Sequence, residues 1–266
     1  MPPASDTIDE TRLRQQLAHL PLGEIRFFRS VGSTNDMALV WAASGAPDLA
    51  LVYAEEQTAG RGRGGRRWFT PAATALAFSL ILRPNREQEA PAPFFAALGA
   101  LAVCDALNAF SLEAQIKWPN DVLIRQRKVC GILGEAIWSG SNLESIVLGI
   151  GVNVKPQAVP PPELLNFPAT SVEEETGHAV DRLALLAAIL KALLRWREQI
   201  TQAVFLKRWE NLLAFRGEEV EIFADTGERH AGVVEGLTSE GSLRLRTAQG
   251  RVLHIQFGEV HLRPLL

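Results

Sequence analysis

Only two cysteines, Cys104 and Cys130, occur in 266 residues, so a disulfide-stapled scaffold is excluded by number, and no zinc-ligand spacing is present. Cys104 lies in an apolar helical stretch and Cys130 between Val129 and Gly131. Both read as reduced, half-buried thiols. The five histidines are scattered, and none falls into a metal or triad spacing. Charge of one sign is also missing: the formal net charge is −3, which leaves no broad basic footprint for nucleic acid. No uninterrupted apolar run approaches the roughly 18 residues a membrane span requires. The polar, acidic start Met1 to Glu10 lacks a basic-then-apolar signal pattern. Internal repeats and low-complexity tracts are absent. These gaps leave a chain that is 47% hydrophobic, with enough apolar residues for a large core, and a cytoplasmic location.

Residues 1–24 read as a short polar arm or a single helix, too little chain for a domain of its own. A strand at Ile25–Arg29 leads to Gly32-Ser33-Thr34-Asn35-Asp36, where Ser33 and Asp36 resemble a capping box. Met37, Val40 and Trp41 then recur at helical spacing, and Gly45 with Pro47 ends the run. Leu49–Ala54 and Thr74–Leu82 are continuous apolar strand candidates, and Phe94–Phe110 has a helical apolar face. Ile116–Ile124 surrounds a turn, and Gly131–Ile137 and Ser145–Val154 are further strands. Lys155–Pro168 is a proline-rich loop. Asp181 caps a leucine-striped helix to Ile200. Past Arg216-Gly217 the pattern changes to short alternating runs. Leu243, Leu245 and Thr247 alternate with Arg244 and Arg246, and Leu253, Ile255 and Phe257 with His254 and Gln256. Turns fall at Asp225-Thr226-Gly227, Glu240-Gly241 and Gln249-Gly250. The expectation is a mixed α+β domain over residues 25–215 followed by a small antiparallel barrel over 216–266.

Two segments carry chemistry. Gly60-Arg61-Gly62-Arg63-Gly64-Gly65-Arg66-Arg67-Trp68 contains Gly-x-Gly-x-x-Gly, but the helix and acid of a dinucleotide fold do not follow. Arg66 and Arg67 stand where a P-loop needs lysine and a hydroxyl, so that reading fails as well. Glycines let backbone approach a ligand closely, and the arginines between them suit carboxylate and phosphate. Such a loop should be floppy until a ligand orders it; a solvated basic turn is the plain alternative. The second segment is Lys117-Trp118-Pro119-Asn120-Asp121. Pro119 restricts Trp118 to an extended conformation, so Lys117 sits at a rigid strand end. It is either a surface lysine beside a packed Trp or a charge aimed at reacting anions. Asn120 and Asp121 suit magnesium or water, and equally a turn.

Together the blocks resemble the biotin protein ligase family: Ser33-Thr34-Asn35, Gln57-Thr58-Ala59-Gly60-Arg61-Gly62-Arg63, Lys117 to Asp121, Lys128 to Glu135, and Gly149-Ile150-Gly151-Val152-Asn153. The resemblance implies a catalytic domain like class II aminoacyl-tRNA synthetases, a mixed sheet flanked by helices, with a C-terminal SH3-like barrel. It implies ATP with Mg2+ as co-substrate and biotin as substrate. Biotin would be activated as biotinyl-AMP and passed to a lysine of a biotin carboxyl carrier protein domain. Ser33, Thr34 and Gln57 would hydrogen-bond the ureido ring, in a site shared with Asn35, Gly60 and Gly62. Arg61 would order the loop and meet the biotin carboxylate; Arg63 would hold phosphate with help from Arg66. Lys117 would neutralise the reacting groups. Trp68 would pack on adenine or close the loop, Asn120 and Asn153 would serve ATP, and Gly131, Gly149 and Gly151 would leave room for biotin. Many relatives carry a charge where Gly64 stands, which moves or removes one loop contact. Some relatives carry a DNA-binding helix-turn-helix domain; the arm before Ile25 is too short for one, so operator binding is not expected. Neither DNA nor membrane is an expected partner, and the chain is expected as a monomer or homodimer. A lipoate or octanoate ligase would carry a different loop, and a non-catalytic sensor would not need Lys117 and Arg63.

Overall fold

The computed structural model describes residues 7–140, 142–223 and 228–256, and the backbone of 261–264. The Asp225-Thr226-Gly227 turn, Phe257 and residues 1–6 lie outside these. Seven strands form the main sheet: β1 (Ile25–Phe28), β2 (Ala50–Ala54), β3 (Ala75–Leu82), β4 (Ala114–Lys117), β5 (Asp121–Ile124), β6 (Arg127–Ser139) and β7 (Asn142–Asn153), in the order β1-β2-β3-β7-β6-β5-β4. Only β1 and β2 run parallel; every other pair is antiparallel. The sheet is therefore mixed, as expected.

Every residue of β2 and β3 is buried, which is why these strands read as unbroken apolar runs rather than alternating ones. On one face lie α3 (Ala92–Ala109) and α5 (Arg182–Arg197), whose side chains join Leu51, Tyr53, Leu76, Phe78 and Leu80 in the main core. By length and composition α3 could cross a membrane, but most of it is buried in this core. Cys104 and Cys130 are fully buried rather than half-buried, and burial pushes both thiols well above the ordinary range. Helix α1 (Glu10–Leu17) is capped by Asp9 and is no loose arm: Leu13 and Leu17 belong to the same core. The opposite face is covered by α2 (Thr34–Ala43) over Ala50, Val52, Ile81 and Val147. Two short helices were not apparent in the sequence, α4 (Val172–Thr176) and α6 (Ala203–Asn211).

The C-terminal strands β8 (Glu219–Phe223), β9 (Arg229–Leu237), β10 (Leu243–Arg246), β11 (Val252–Ile255) and β12 (His261–Pro264) make a five-stranded antiparallel sheet ordered β11-β10-β9-β8-β12. The turn between β9 and β10 rests on α6 and on the turn between β4 and β5. A Cβ on Gly241, where φ is +80°, would come within 2.8 Å of the Trp209 ring, and the Gly241 carbonyl accepts the Trp118 indole N–H at 2.9 Å.

Candidate active site

The α2 face of the sheet owes its floor to small residues aligned by strand register. One cross-strand row runs Phe28, Ala54, Ala77, Gly151, Gly131, Asp121, Lys117. Beside it runs Val52, Ser79, Gly149, Leu133. Directly paired residues share a face, so the sheet presents a shallow trough of alanine and glycine that ends on a carboxylate and an ammonium.

The start of α2 hangs over this trough. The Ser33 hydroxyl accepts the Asp36 N–H at 3.4 Å and so caps the helix. Thr34 donates its backbone N–H to Gln57 Oε1 at 2.8 Å, its hydroxyl lies 3.1 Å from the same oxygen, and Gln57 Nε2 donates to Thr70 Oγ1 at 3.2 Å. The Ser79 hydroxyl lies 2.8 Å from Thr34 Oγ1 and 2.6 Å from Asn35 Oδ1 and gives its single hydrogen to Asn35 Oδ1, an oxygen that can only accept; the one Thr34 hydroxyl hydrogen then serves either Gln57 Oε1 or Ser79 Oγ. Asn35 Nδ2 donates to Glu135 Oε2 at 2.9 Å. A Cβ on Gly149 would stand 2.0 Å from Asn35 Oδ1, so the space at Gly149 is filled by Asn35.

The glycine-arginine segment is a formed hairpin, more regular than its composition predicts. Gln57 pairs with Thr70 and Arg61 with Arg67; Trp68 N–H donates to Gly60 O at 2.9 Å and Gly62 N–H to Arg66 O at 2.7 Å. Gly64 and Gly65 both have positive φ at the tip, which glycine tolerates without strain. The Arg61 guanidinium bridges Asp36 of α2 and Glu135 of β6, the latter at 2.5 Å. The hydrogen bonds it donates to Glu135 and Asp36 raise its pKa further. Between hairpin and β6 opens a cleft of about 450 Å3, lined by residues 59–67, Leu133 and Glu135. Arg63 lines this cleft and a second cavity of about 80 Å3 beside Asn120 and Phe95.

Trp68 leads back to the floor. Its indole lies on Gly131 and Gly151, where an added Cβ would meet ring atoms at 3.0 and 2.3 Å. The glycines thus make room for this indole as Gly149 does for Asn35. Trp68 Nε1 is buried without a hydrogen-bond partner. The Lys128 ammonium stands 5.4 Å from the Trp68 ring and 2.7 Å from Asp121 Oδ1. Lys117, 7% exposed, is 4.0 Å from Asp121 Oδ2 and 4.2 Å from the Phe167 ring. Burial alone would raise the Asp121 pKa. The charges of Lys128 and Lys117 and the hydrogen bond from Lys128, with Arg66 adding to them, outweigh it and hold the carboxyl below its ordinary range.

Two expected residues serve the scaffold here. Asn120 Nδ2 donates to Ile132 O at 2.7 Å, and Asn153 Nδ2 to Thr170 O at 3.1 Å, both buried or nearly so. Lys128, Ser79, Asp36 and Glu135 had no role assigned from sequence. Plain alternation would place Lys128, three residues before Gly131, on the opposite face; the register shift between Val122 and Leu123 is what turns it toward Asp121. Among the described residues no three His, Cys, Asp or Glu side chains gather in a way that could hold a metal.

Comparison with known proteins agrees with this geometry. Residues 27–153 match the biotin/lipoate A/B protein ligase family. A biotin–[acetyl-CoA-carboxylase] ligase of Paracoccus denitrificans is 39% identical over 234 residues, covering 82% of this chain and 92% of the relative. One from Mycobacterium tuberculosis is 34% identical, covering 96% of each. The solved structure of Aquifex aeolicus biotin protein ligase in complex with biotin and ATP superposes with a TM-score of 0.77 at 29% identity, over 91% of this chain and 99% of that one. The chain belongs to the biotin/lipoate A/B protein ligase family.

Proposed function

We propose that the chain is an ATP-dependent biotin protein ligase that forms biotinyl-AMP and transfers the biotinyl group to a lysine of a carboxylase's biotin carrier domain. The observation that carries this reading is the small-residue trough that ends on Asp121, Lys117 and Lys128 beneath an arginine-bearing hairpin. A flat, neutral bicycle needs a shallow floor and paired polar groups at its ureido end; the Thr34–Gln57–Ser79 network supplies donors and acceptors there. A carboxylate and a triphosphate need fixed cations, and they meet two lysines and the loop arginines.

In the first step a biotin carboxylate oxygen attacks the α-phosphorus of ATP and pyrophosphate leaves. Lys117, Lys128 and Arg63 stabilise the charge on the reacting oxygens, with Arg66 assisting, and Trp68 and Asn120 border the nucleotide. Magnesium enters as part of the ATP substrate. In the second step the acceptor amine attacks the acyl carbonyl, AMP leaves, and an amide forms with loss of a proton. No enzyme nucleophile is required; positioning and electrostatic stabilisation supply the catalysis. Ser33, Thr34, Asn35, Gln57, Gly60, Gly62 and Arg61 surround biotin, while Gly131 and Gly151 seat the Trp68 indole and Gly149 seats the Asn35 carboxamide. The mixed sheet is what a class II synthetase-like core would present, and the five C-terminal strands an SH3-like barrel. We place the protein in the cytoplasm, acting on a protein partner rather than DNA or membrane.

The test is biotin-dependent exchange of pyrophosphate into ATP, with lipoate and octanoate as competitors. Exchange driven by biotin alone supports the reading; exchange driven by lipoate, or none, removes it.

A further inference from the structure

On the α2 face, Glu135 occupies a row whose neighbours in register are Val147 and Ile81. A carboxylate in such company needs partners, and it has two of different kinds. Oε2 accepts Asn35 Nδ2 at 2.9 Å, and Oε1 accepts Arg61 at 2.5 Å. The Asn35 carboxamide is itself fixed: it accepts Ser79 Oγ at 2.6 Å, donates also to Leu133 O at 3.3 Å, and rests against Gly149. The Thr34 hydroxyl donates in turn to Ser79 Oγ, and the Thr34 backbone N–H donates to Gln57 Oε1. An unbroken polar chain therefore runs Gln57–Thr34–Ser79–Asn35–Glu135–Arg61. One end lies where the ligand ring is placed; the other is the side chain that stitches the hairpin to the body of the protein.

We propose that Glu135 is a positioning residue that couples seating of the ligand ring at Thr34, Asn35 and Gln57 to closure of the glycine-arginine hairpin. The coupling acts through geometry. Ring binding fixes the orientation of the Asn35 amide, the amide fixes the carboxylate, and the carboxylate holds Arg61 and with it the strand that pairs Arg61 to Arg67. The Asp36 carboxylate grips the same guanidinium from α2 but does not touch the Asn35 carboxamide, so it anchors the hairpin without sensing how that amide is oriented. The inference rests on the biotin ligase reading.

The experiment uses the full chain with biotin as probe and three measurements: biotin affinity, biotin protection of the hairpin arginines against trypsin, and the rate at which adenylate formed in situ escapes. Wild type is measured first, and failure to bind biotin there would undo the functional reading instead of this one. In Glu135→Gln the amide still accepts from Asn35 but the ionic hold on Arg61 is gone. Biotin should still bind, protection should be lost, and adenylate should escape about tenfold faster or more. Arg61→Gln cuts the same link from the exposed side, so it keeps the test alive if Glu135→Gln fails to fold, and it should also lose protection. The double variant should be no worse than the worse single one, because both act on one link. Normal protection by biotin in either variant, or losses that add in the double variant, would overturn the proposal. Protection is read at saturating biotin, because a cut link also weakens biotin binding; a merely structural role would weaken binding but leave the saturated protein protected as in wild type.

Discussion

Gly151→Ala tests the floor most directly. Gly151 sits mid-sheet between Ala77 and Gly131, and a Cβ there would lie 2.3 Å from Trp68 Nε1 and 2.4 Å from Cε2, where ordinary contact begins at 3.4 Å. The central strand cannot yield, being paired on both sides along its length. The indole is rigid and hangs from a partly exposed hairpin, so it must retreat by about 1 Å. A misplacement of about 1 Å near reacting groups costs on the order of 10²-fold in rate. Stability should hardly change. The displaced ring forfeits part of the roughly 1.5–3 kcal/mol that full burial of a large apolar side chain confers, but its orphaned Nε1 regains water, recovering about 1–3 kcal/mol of desolvation. The expectation is therefore a roughly hundredfold fall in pyrophosphate exchange with little change in urea midpoint. Trp68→Ala removes the colliding ring, so Gly151→Ala added to it should cost little more. Fully additive losses in the double variant would show that the glycine does not serve the indole, and the account of the floor would fail.

Lys117→Ala and Lys128→Ala should each slow adenylate formation by about two decades or more, the usual scale for loss of one preorganised electrostatic group; single-turnover assays check both, and a near-normal rate removes that lysine from the mechanism. Asp121, with its carboxyl held below the ordinary range, contributes stability that is present above the unfolded value of about 3.9 and lost as pH falls through the lower folded value. Wild type should therefore exceed Asp121→Asn in Tm by a constant margin from pH 7 to about 4, with the gap closing only below that; closure at pH 5–6 would reverse the assigned sign. Trp118→Phe leaves the buried Gly241 carbonyl without its donor, which should cost about 1–3 kcal/mol, and it should slow adenylation because Lys117 is the adjoining residue. Equilibrium unfolding and exchange rates measured together check both, and a destabilised variant with unchanged kcat would separate the turn from the C-terminal sheet.

Much of this architecture was legible along the chain. The apolar stretches Leu49–Ala54 and Thr74–Leu82 marked two buried strands to within one residue, and Ser33 announced the start of α2. What escaped was whatever register or distance in sequence decides. Lys128 looked like one basic residue before a strand; only pairing of β5 with β6 sets its ammonium on Asp121. Arg61 finds Glu135 across 74 residues, which no local pattern reports. The glycines were read as space for ligand, yet packing gives Gly149 to Asn35 and Gly131 and Gly151 to Trp68, because only the tertiary fold brings those side chains over the sheet. The α1 segment read as polar since two apolar residues, Leu13 and Leu17, carry all of its buried contact. For α6, Phe205 and Trp209 are the buried residues of a nine-residue helix, too short for periodicity to stand out.

The division of labour between the two faces explains why one sheet can be both stable and reactive. Large side chains such as Phe78, Leu76 and Leu80 face α3 and α5 and supply the packing, so the other face is free to be thin. There, backbone hydrogen bonding holds the row of Ala77, Gly151 and Gly131, and the Trp68 indole lies on its two glycines. Charges then need only enter from the ends. Lys117 and Asp121 come from the β4–β5 hairpin, whose Trp118 is pinned from outside the sheet by Gly241; Arg61 comes from a hairpin clamped by two carboxylates. Each charged group is attached to an element restrained on its far side. The trough therefore does not have to hold its own cations in place.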